Sequence, residues 1–568
     1  MNHLVAIAFF LGLSSFMIGQ SAIYSSESAH HPVVAQEGMV ATQHHLATEV
    51  GLDILRQGGN ATDAAVAVGF ALAVVLPRAG NLGGGGFMLV HEAGTGQTRA
   101  INYREMAPRA AHRDMYLDDK GDVDNEKFNM SYHSVGVPGT VAGMIHALEK
   151  YGTMSLQKVI APAINLAKDG FAVTYDLSEV LRLREERLRR SEASEKIFYK
   201  GDDLYGPGDI LVQPDLAWSL QQISDRGLKG FYRGELADRL IKAIQSHGGV
   251  MTKKDLKKYE VTETEAVTGN YRGHEIVSMP PPSSGGVHVI QMLNILEGFD
   301  LKSTEYNSAE TIHAMAEAMR YAYADRSEHL GDPAFWEVPV EGLVSKSYAD
   351  DIRARISMDT VALSSSVKAG TPGDYESEET THYSVVDKYG NAVSNTYTLN
   401  FSFGSGLVAE GTGILLNNEM GDFSAKPGTA NAYGLVGGEA NAVEPGKRPL
   451  SSMTPTMVLK DGKPFIVTGS PGGSRIITTV LQIILNVIDH DMNIAEATHA
   501  ARIHHQWLPD VLFHEKYLNP DTRKLLEQKG HTLKARAAMG STQSIMLKDG
   551  QLFGASDPRR PDAATKGY

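Results

Sequence analysis

The apolar positions of this chain change their period several times, and each change marks an element. From Ala47 to Arg56 they recur at helical spacing, and Gly58-Gly59-Asn60 supplies the stop. From Thr62 to Val75 the run is almost continuous Ala and Val, the pattern of a helix buried on every side. A strand is expected over Phe87 to His91, behind the glycines Gly83 to Gly86. Between Leu156 and Asp325 helical segments alternate with loops, and the charged stretch Leu181 to Arg190 reads as a solvated helix face. Residues Ser364 to Glu379, rich in Ser, Gly, Pro, Asp and Glu, read as an exposed linker. Strands and turns dominate from Thr380 to about Val467, and Ile476 to Val487 reads as a buried helix. A strand-rich centre with helices before and after it predicts an α+β fold of stacked layers.

The register of one hairpin can be counted. Thr380-Thr381-His382-Tyr383-Ser384-Val385-Val386-Asp387 alternates as a strand, and Asn391 to Leu399 follows after Lys388-Tyr389-Gly390. A three-residue loop with Gly last suits a type I turn closed by a left-handed residue, which sets Asp387 opposite Asn391. Counting back puts Thr380 opposite Thr398, so two hydroxyls should lie side by side on one face of the sheet. A slip of one residue would separate them.

Composition narrows the chemistry. The net charge of −14 disfavours a general nucleic-acid binder. The absence of cysteine rules out disulfides, a thiol nucleophile and Cys-based metal sites. The glycine run lacks a following Lys-Ser or Lys-Thr and the G-x-G-x-x-G spacing, so close backbone packing explains it better than phosphate binding. No H-E-x-x-H or G-x-S-x-G is present, and the pairs His44-His45 and His504-His505 read as structural or surface residues. At the N-terminus the apolar run Leu4 to Ile18 leads into Gly19-Gln20-Ser21-Ala22, which reads as a signal peptide over residues 1–22 and a soluble exported protein.

Several further blocks occur in order: Asn81-Leu82-Gly83-Gly84-Gly85-Gly86-Phe87, Arg104-Glu105-Met106-Ala107-Pro108, Gly136-Val137-Pro138-Gly139-Thr140 and Pro280-Pro281-Pro282-Ser283-Ser284-Gly285-Gly286 before the hairpin. After it come Asn400, Asn417-Asn418-Glu419-Met420-Gly421-Asp422-Phe423, Arg448-Pro449-Leu450-Ser451-Ser452-Met453-Thr454-Pro455 and Gly469-Ser470-Pro471-Gly472-Gly473-Ser474-Arg475. From about Val40 to the C-terminus the series resembles the γ-glutamyltranspeptidases. The resemblance implies the four-layer αββα sandwich of the N-terminal nucleophile hydrolases, with no cofactor and no metal. It also implies a precursor that cuts itself between Glu379 and Thr380 into a large subunit, residues 23–379, and a small one, residues 380–568, which stay together as a heterodimer.

The chemistry of a threonine fits that scheme. Its hydroxyl is a poor nucleophile without a base, and no adjacent His or Lys has an evident claim to the role. Cleavage before Thr380 would create an α-amine, with a reference pKa of about 7.7–8.0, in the same residue. The resemblance assigns the remaining roles. Thr380 attacks the γ-carbonyl, Thr398 orients it, and the amides of Gly472 and Gly473 hold the oxyanion. Arg104 with Ser451 and Ser452 takes the α-carboxylate, whereas Asp422, Glu419 and the side-chain carbonyl of Asn400 take the α-ammonium. Tyr433, in a loop rich in glycine, shields the site. Gly421 departs from the family by replacing an acid usual beside Asp422. The expected partners are glutathione and other γ-glutamyl compounds as donors and amino acids or dipeptides as acceptors, in the periplasm or outside the cell. Two rivals stand beside this reading. One is an acylase of the same superfamily acting on glutaryl amides, which lack the ammonium that Asp422 would meet. The other is an uncut, non-catalytic γ-glutamyl-binding protein, whose mark would be loss of Thr380, Thr398 or the Gly472-Gly473 pair.

Overall fold

Two seven-stranded antiparallel sheets form the centre of the computed structural model, which describes residues 28–367 and 380–568. The first sheet runs Ala564–Gly567, Met39–Thr42, Thr381–Val386, Ala392–Thr398, Gly85–Glu92, Gln97–Asn102, Thr262–Glu265. The second runs Val33–Ala35, Gln551–Ser556, Gln543–Lys548, Lys463–Thr468, Thr456–Lys460, His274–Ser278, Val267–Tyr271. Both sheets therefore mix strands from before and after position 380.

Alternation along each strand divides the core into three seams. In the first sheet Val40, Met88, Val90, Tyr383 and Val385 face a helical layer that includes Ala61–Val75 and Thr140–Tyr151. Their neighbours Met39, Ala41, Phe87 and Leu89 face the second sheet, meeting Val277, Met457, Val467 and Ile545. The far side of the second sheet, with Ile276, Val458 and Ile466, is covered by Gly285–Leu296, Ala309–His329 and Arg475–Ile488. Helix, sheet, sheet, helix is the expected αββα sandwich. The all-apolar run after Asn60 forms a fully buried helix, held at its start by reciprocal Asn60 and Asp63 caps.

Three expectations need correction. The segment Leu156 to Asp325 contributes three strands to the two large sheets, Thr262–Glu265, Val267–Tyr271 and His274–Ser278, and four two-residue strands to two small ones, and not helices and loops alone. The stretch Leu181 to Arg190 is no continuous solvated face: the helix breaks at Arg184, Leu181 and Leu188 are buried, and Arg187 lies over the Phe401 ring and donates to the Ser402 carbonyl at 3.1 Å. The start of the expected linker is docked, because Ser364 is buried and Trp507 Nε1 donates to the carbonyls of Ser364 and Val367 at 3.1 and 2.8 Å. Residues 1–22 and Glu379 lie outside the described residues. Among the described residues no helix is long and apolar enough to cross a membrane.

Candidate active site

The counted register is the one observed. Thr381 pairs with Tyr397 and Val386 with Ala392, and the Asp387 N–H donates to the Asn391 carbonyl at 3.0 Å. Asp387 also braces the turn: its carboxylate accepts from the Tyr389 and Asn391 amides and from the Ala61 amide that opens the buried helix. Gly390 takes the left-handed conformation, φ +86°. One step beyond the paired strands, Thr380 Oγ donates to Thr398 Oγ at 3.3 Å, and both side chains are buried. Thr398 Oγ also accepts the Asn400 amide at 2.9 Å. Its carbonyl takes the Asn81 side-chain amide at 3.0 Å, and a Cβ on Gly84 would stand 2.0 Å from that oxygen. The glycine run therefore lets one strand press against Thr398, the partner of Thr380.

Alternation sends Thr381 to the opposite face from Thr380, toward the helices, where its hydroxyl is buried without a hydrogen-bond partner. His382 returns to the face between the sheets. Its ring joins Thr396 Oγ at 2.9 Å and Ser384 Oγ at 3.1 Å and packs against Gly469, where a Cβ would stand 2.4 Å from Nδ1. Burial lowers this imidazole to about 3, so it is neutral and structural.

Thr380 and Thr398 open onto a cavity lined by Arg104, Asn400, Glu419 and Asp422 on one side and by Ser451, Ser452 and Gly473 on another. Gly472 lies just behind Gly473 in a turn whose φ values, +131° and +55°, suit glycine. Among the described residues neither of their N–H groups donates to another protein group. Tyr433 closes the roof: its ring lies on Gly473, where a Cβ would be 2.6 Å from Cδ1, and its hydroxyl donates to Asn400 Oδ1. The Asn400 side-chain carbonyl thus accepts one hydrogen bond from the roof, and a second lone pair stays available at the cavity wall. Asn400 itself is held at φ +77°.

Arg104 is buried. Its Nη1 meets Glu419, its Nη2 meets Asp422, its Nε donates to the Pro449 carbonyl at 3.2 Å, and Glu105 stands 3.6 Å away. Burial alone would lower the guanidinium, but Glu419, Asp422 and Glu105 together outweigh it and hold it above its ordinary value. Burial raises Glu105 to about 7 against the pull of Arg104, and Glu419 is raised as well. Arg326 was not legible as a site residue. It reaches the same cavity from Ala309–His329, with Nε on Ser284 Oγ at 2.9 Å and Nη2 on Ser452 Oγ at 3.3 Å.

A paired hydroxyl, free amide donors and a charged end with both signs suit acyl transfer from a zwitterionic donor. Among the described residues no group of His, Asp and Glu could hold a metal ion. Comparison with known proteins agrees with that chemistry. The gamma-glutamyltranspeptidase family model matches residues 47–567. The glutathione hydrolase proenzyme of Escherichia coli is 56% identical over 95% of this chain and 94% of its own. Among solved structures, a cephalosporin acylase from Bacillus halodurans superposes with a TM-score of 0.84, at 28% identity, over 97% of this chain and 99% of that one. The gamma-glutamyltranspeptidase of Helicobacter pylori superposes with a TM-score of 0.57, at 49% identity, over 57% of this chain and 93% of that one.

Proposed function

The chain belongs to the γ-glutamyltranspeptidase family, and from that premise we propose that it is a self-processing glutathione hydrolase and γ-glutamyltransferase. The observation that carries the reading is the Thr380–Thr398 hydroxyl pair, 3.3 Å apart, at the edge of a cavity with both charge signs. Thr380 Oγ first attacks the Glu379 carbonyl, the peptide nitrogen leaves as the α-amine of Thr380, and water hydrolyses the resulting ester. The products are a large subunit, residues 23–379 after removal of a signal peptide, and a small subunit, residues 380–568. Export to the periplasm or the medium follows from the same leader.

In the mature enzyme the Thr380 α-amine takes the proton of Thr380 Oγ, which attacks the γ-carbonyl of a γ-glutamyl donor. Thr398 holds the attacking oxygen, and the N–H groups of Gly472 and Gly473 receive the oxyanion. The proton passes to the departing amine, leaving a γ-glutamyl ester on Thr380. Water resolves it to glutamate, or the amine of an amino acid or dipeptide resolves it to a new γ-glutamyl amide. Arg104, Ser451 and Ser452 hold the α-carboxylate, and Asp422 and Glu419 hold the α-ammonium once the donor displaces them from Arg104. Tyr433 shields the site from above.

Intact mass and N-terminal sequencing of wild type beside Thr380→Ala test the first step. The expected result is two wild-type fragments, the smaller beginning Thr-Thr-His-Tyr, and one uncut, inactive mutant chain. A wild-type chain that stays whole on long incubation removes the proposed base and leaves the non-catalytic rival. The resemblance to the acylase keeps one other reading alive, and Asp422 and Glu419 weigh against it because a glutaryl group offers them no cation. Faster turnover of a glutaryl anilide than of a γ-glutamyl anilide would reverse that choice.

A further inference from the structure

The amides of Gly472 and Gly473 belong to the residue type least able to hold its own backbone, so their direction is set by what flanks them. Upstream, Ser470 Oγ accepts the Ser541 amide at 2.9 Å. Downstream, Ser474 is held twice: the Tyr323 hydroxyl donates to its carbonyl, and its own hydroxyl donates to Gln506 Oε1 at 2.6 Å. Gln506 is buried, two residues beyond the short strand Ile503–His504, and stands behind the cavity wall.

The other end of the same side chain holds the roof. Gln506 Nε2 donates to the Tyr433 carbonyl at 3.1 Å and to the Leu508 carbonyl at 3.3 Å. Gly434 makes room for this approach: it is left-handed, φ +71°, and a Cβ there would stand 3.0 Å from Nε2. The Gln506 oxygen is shared with His504, whose Nε2 lies 2.9 Å away and whose Nδ1 lies 2.9 Å from Thr478 Oγ. Burial lowers this imidazole to about 3, so it is neutral, and Nε2 carries the proton that faces Gln506. All four hydrogen-bonding positions of the amide are therefore filled. One fixes the residue after Gly473, and another fixes the residue whose ring lies on Gly473.

We propose that Gln506 is a positioning residue of the reaction, a strut that fixes the oxyanion turn and the Tyr433 roof against each other. It acts through Ser474 and Tyr433 and touches no substrate. Formation and breakdown of the acyl-enzyme both pass through an oxyanion, so a slack turn slows both and leaves the charged groups that bind the donor in place. This inference rests on the γ-glutamyl reading above.

The test measures kcat and KM for a γ-glutamyl anilide, and hydrogen exchange of the segment 426–438 by mass spectrometry, in matured wild type, Ser474→Ala, Gln506→Met and Gln506→Glu. Gln506→Met nearly keeps the volume and loses both contacts. Its kcat should fall about 10- to 100-fold with KM within about 2-fold of wild type. In the same variant the segment 426–438 should exchange about 10-fold faster, the worth of one hydrogen bond. Ser474→Ala cuts only the tie to the turn, so kcat should fall about 10-fold while 426–438 exchanges at the wild-type rate. Gln506→Glu keeps an acceptor for Ser474 and should regain most of kcat. A KM that rises in step with the loss of kcat, or unchanged exchange in Gln506→Met, would make Gln506 a packing residue and overturn the proposal. If Gln506→Met does not mature, Ser474→Ala decides, and an unchanged kcat there counts against the proposal equally. Matured wild type that ignores the γ-glutamyl anilide would sink the functional reading itself, a result separate from the exchange of 426–438.

Discussion

Three carboxyl groups gathered around Arg104 give the site a titration that belongs to the folded state. An unfolded chain releases the Glu105 proton near the ordinary glutamate value of about 4.3, whereas burial keeps it bound in the folded protein up to about 7. Between those values the native state holds more protons than the unfolded one. This group's contribution to stability therefore falls as pH rises through the interval and is lowest above 7. Glu105→Gln keeps the shape and removes the titration. Its Tm measured against wild type should be more favourable at pH 8 than at pH 5; parallel Tm curves across that range would show that Glu105 ionises normally. His382 titrates the other way, held neutral by burial, and its place in the Thr-Thr-His-Tyr segment is a packing requirement between strand and Gly469.

The short turn Glu419–Asp422 carries two of those carboxylates, and the space beside its Gly421 is already filled. A Cβ at Gly421 would stand 2.5 Å from Asn129 Oδ1, a buried acceptor without a hydrogen-bond partner. Asn129 occupies the space that an acid at 421 would need. Gly421→Asp should cost about 1–3 kcal/mol by overpacking and raise KM for a γ-glutamyl anilide. Adding Asn129→Ala should recover much of both losses, as a double-mutant cycle would register. Strict additivity would place the two residues out of contact. The hairpin beside this turn was readable because a three-residue loop ending in glycine fixes parity, and parity decides which side chains share a face. Arg326 was not, since nothing in the period of Ala309–His329 separates a cation facing a cavity from buried neighbours such as Arg320 and Glu317. The strand Thr262–Glu265, four polar residues at a sheet edge, carries no apolar alternation to betray it. The docking of Ser364 depends on Trp507, more than a hundred residues away, a contact that no local pattern encodes.

On the scale of the whole molecule, strands from both sides of position 380 alternate within both sheets. In the first sheet the order passes from Ala564–Gly567 to Met39–Thr42, to the hairpin of Thr381–Val386 and Ala392–Thr398, and back to Gly85–Glu92. Scission before Thr380 therefore removes no strand from its neighbours, and the fragments should co-purify natively and separate only in denaturant. The same interleaving changes the order of the folding reaction. The precursor folds as one molecule, whereas its cut product, once denatured, is two chains that must find each other again. Refolding of the mature protein should slow on dilution, while refolding of the Thr380→Ala precursor should not depend on concentration. Self-cleavage thus works as a ratchet: the chain spends its one unimolecular route to the native state before it becomes active, and from then on its lifetime is set by how slowly it unfolds.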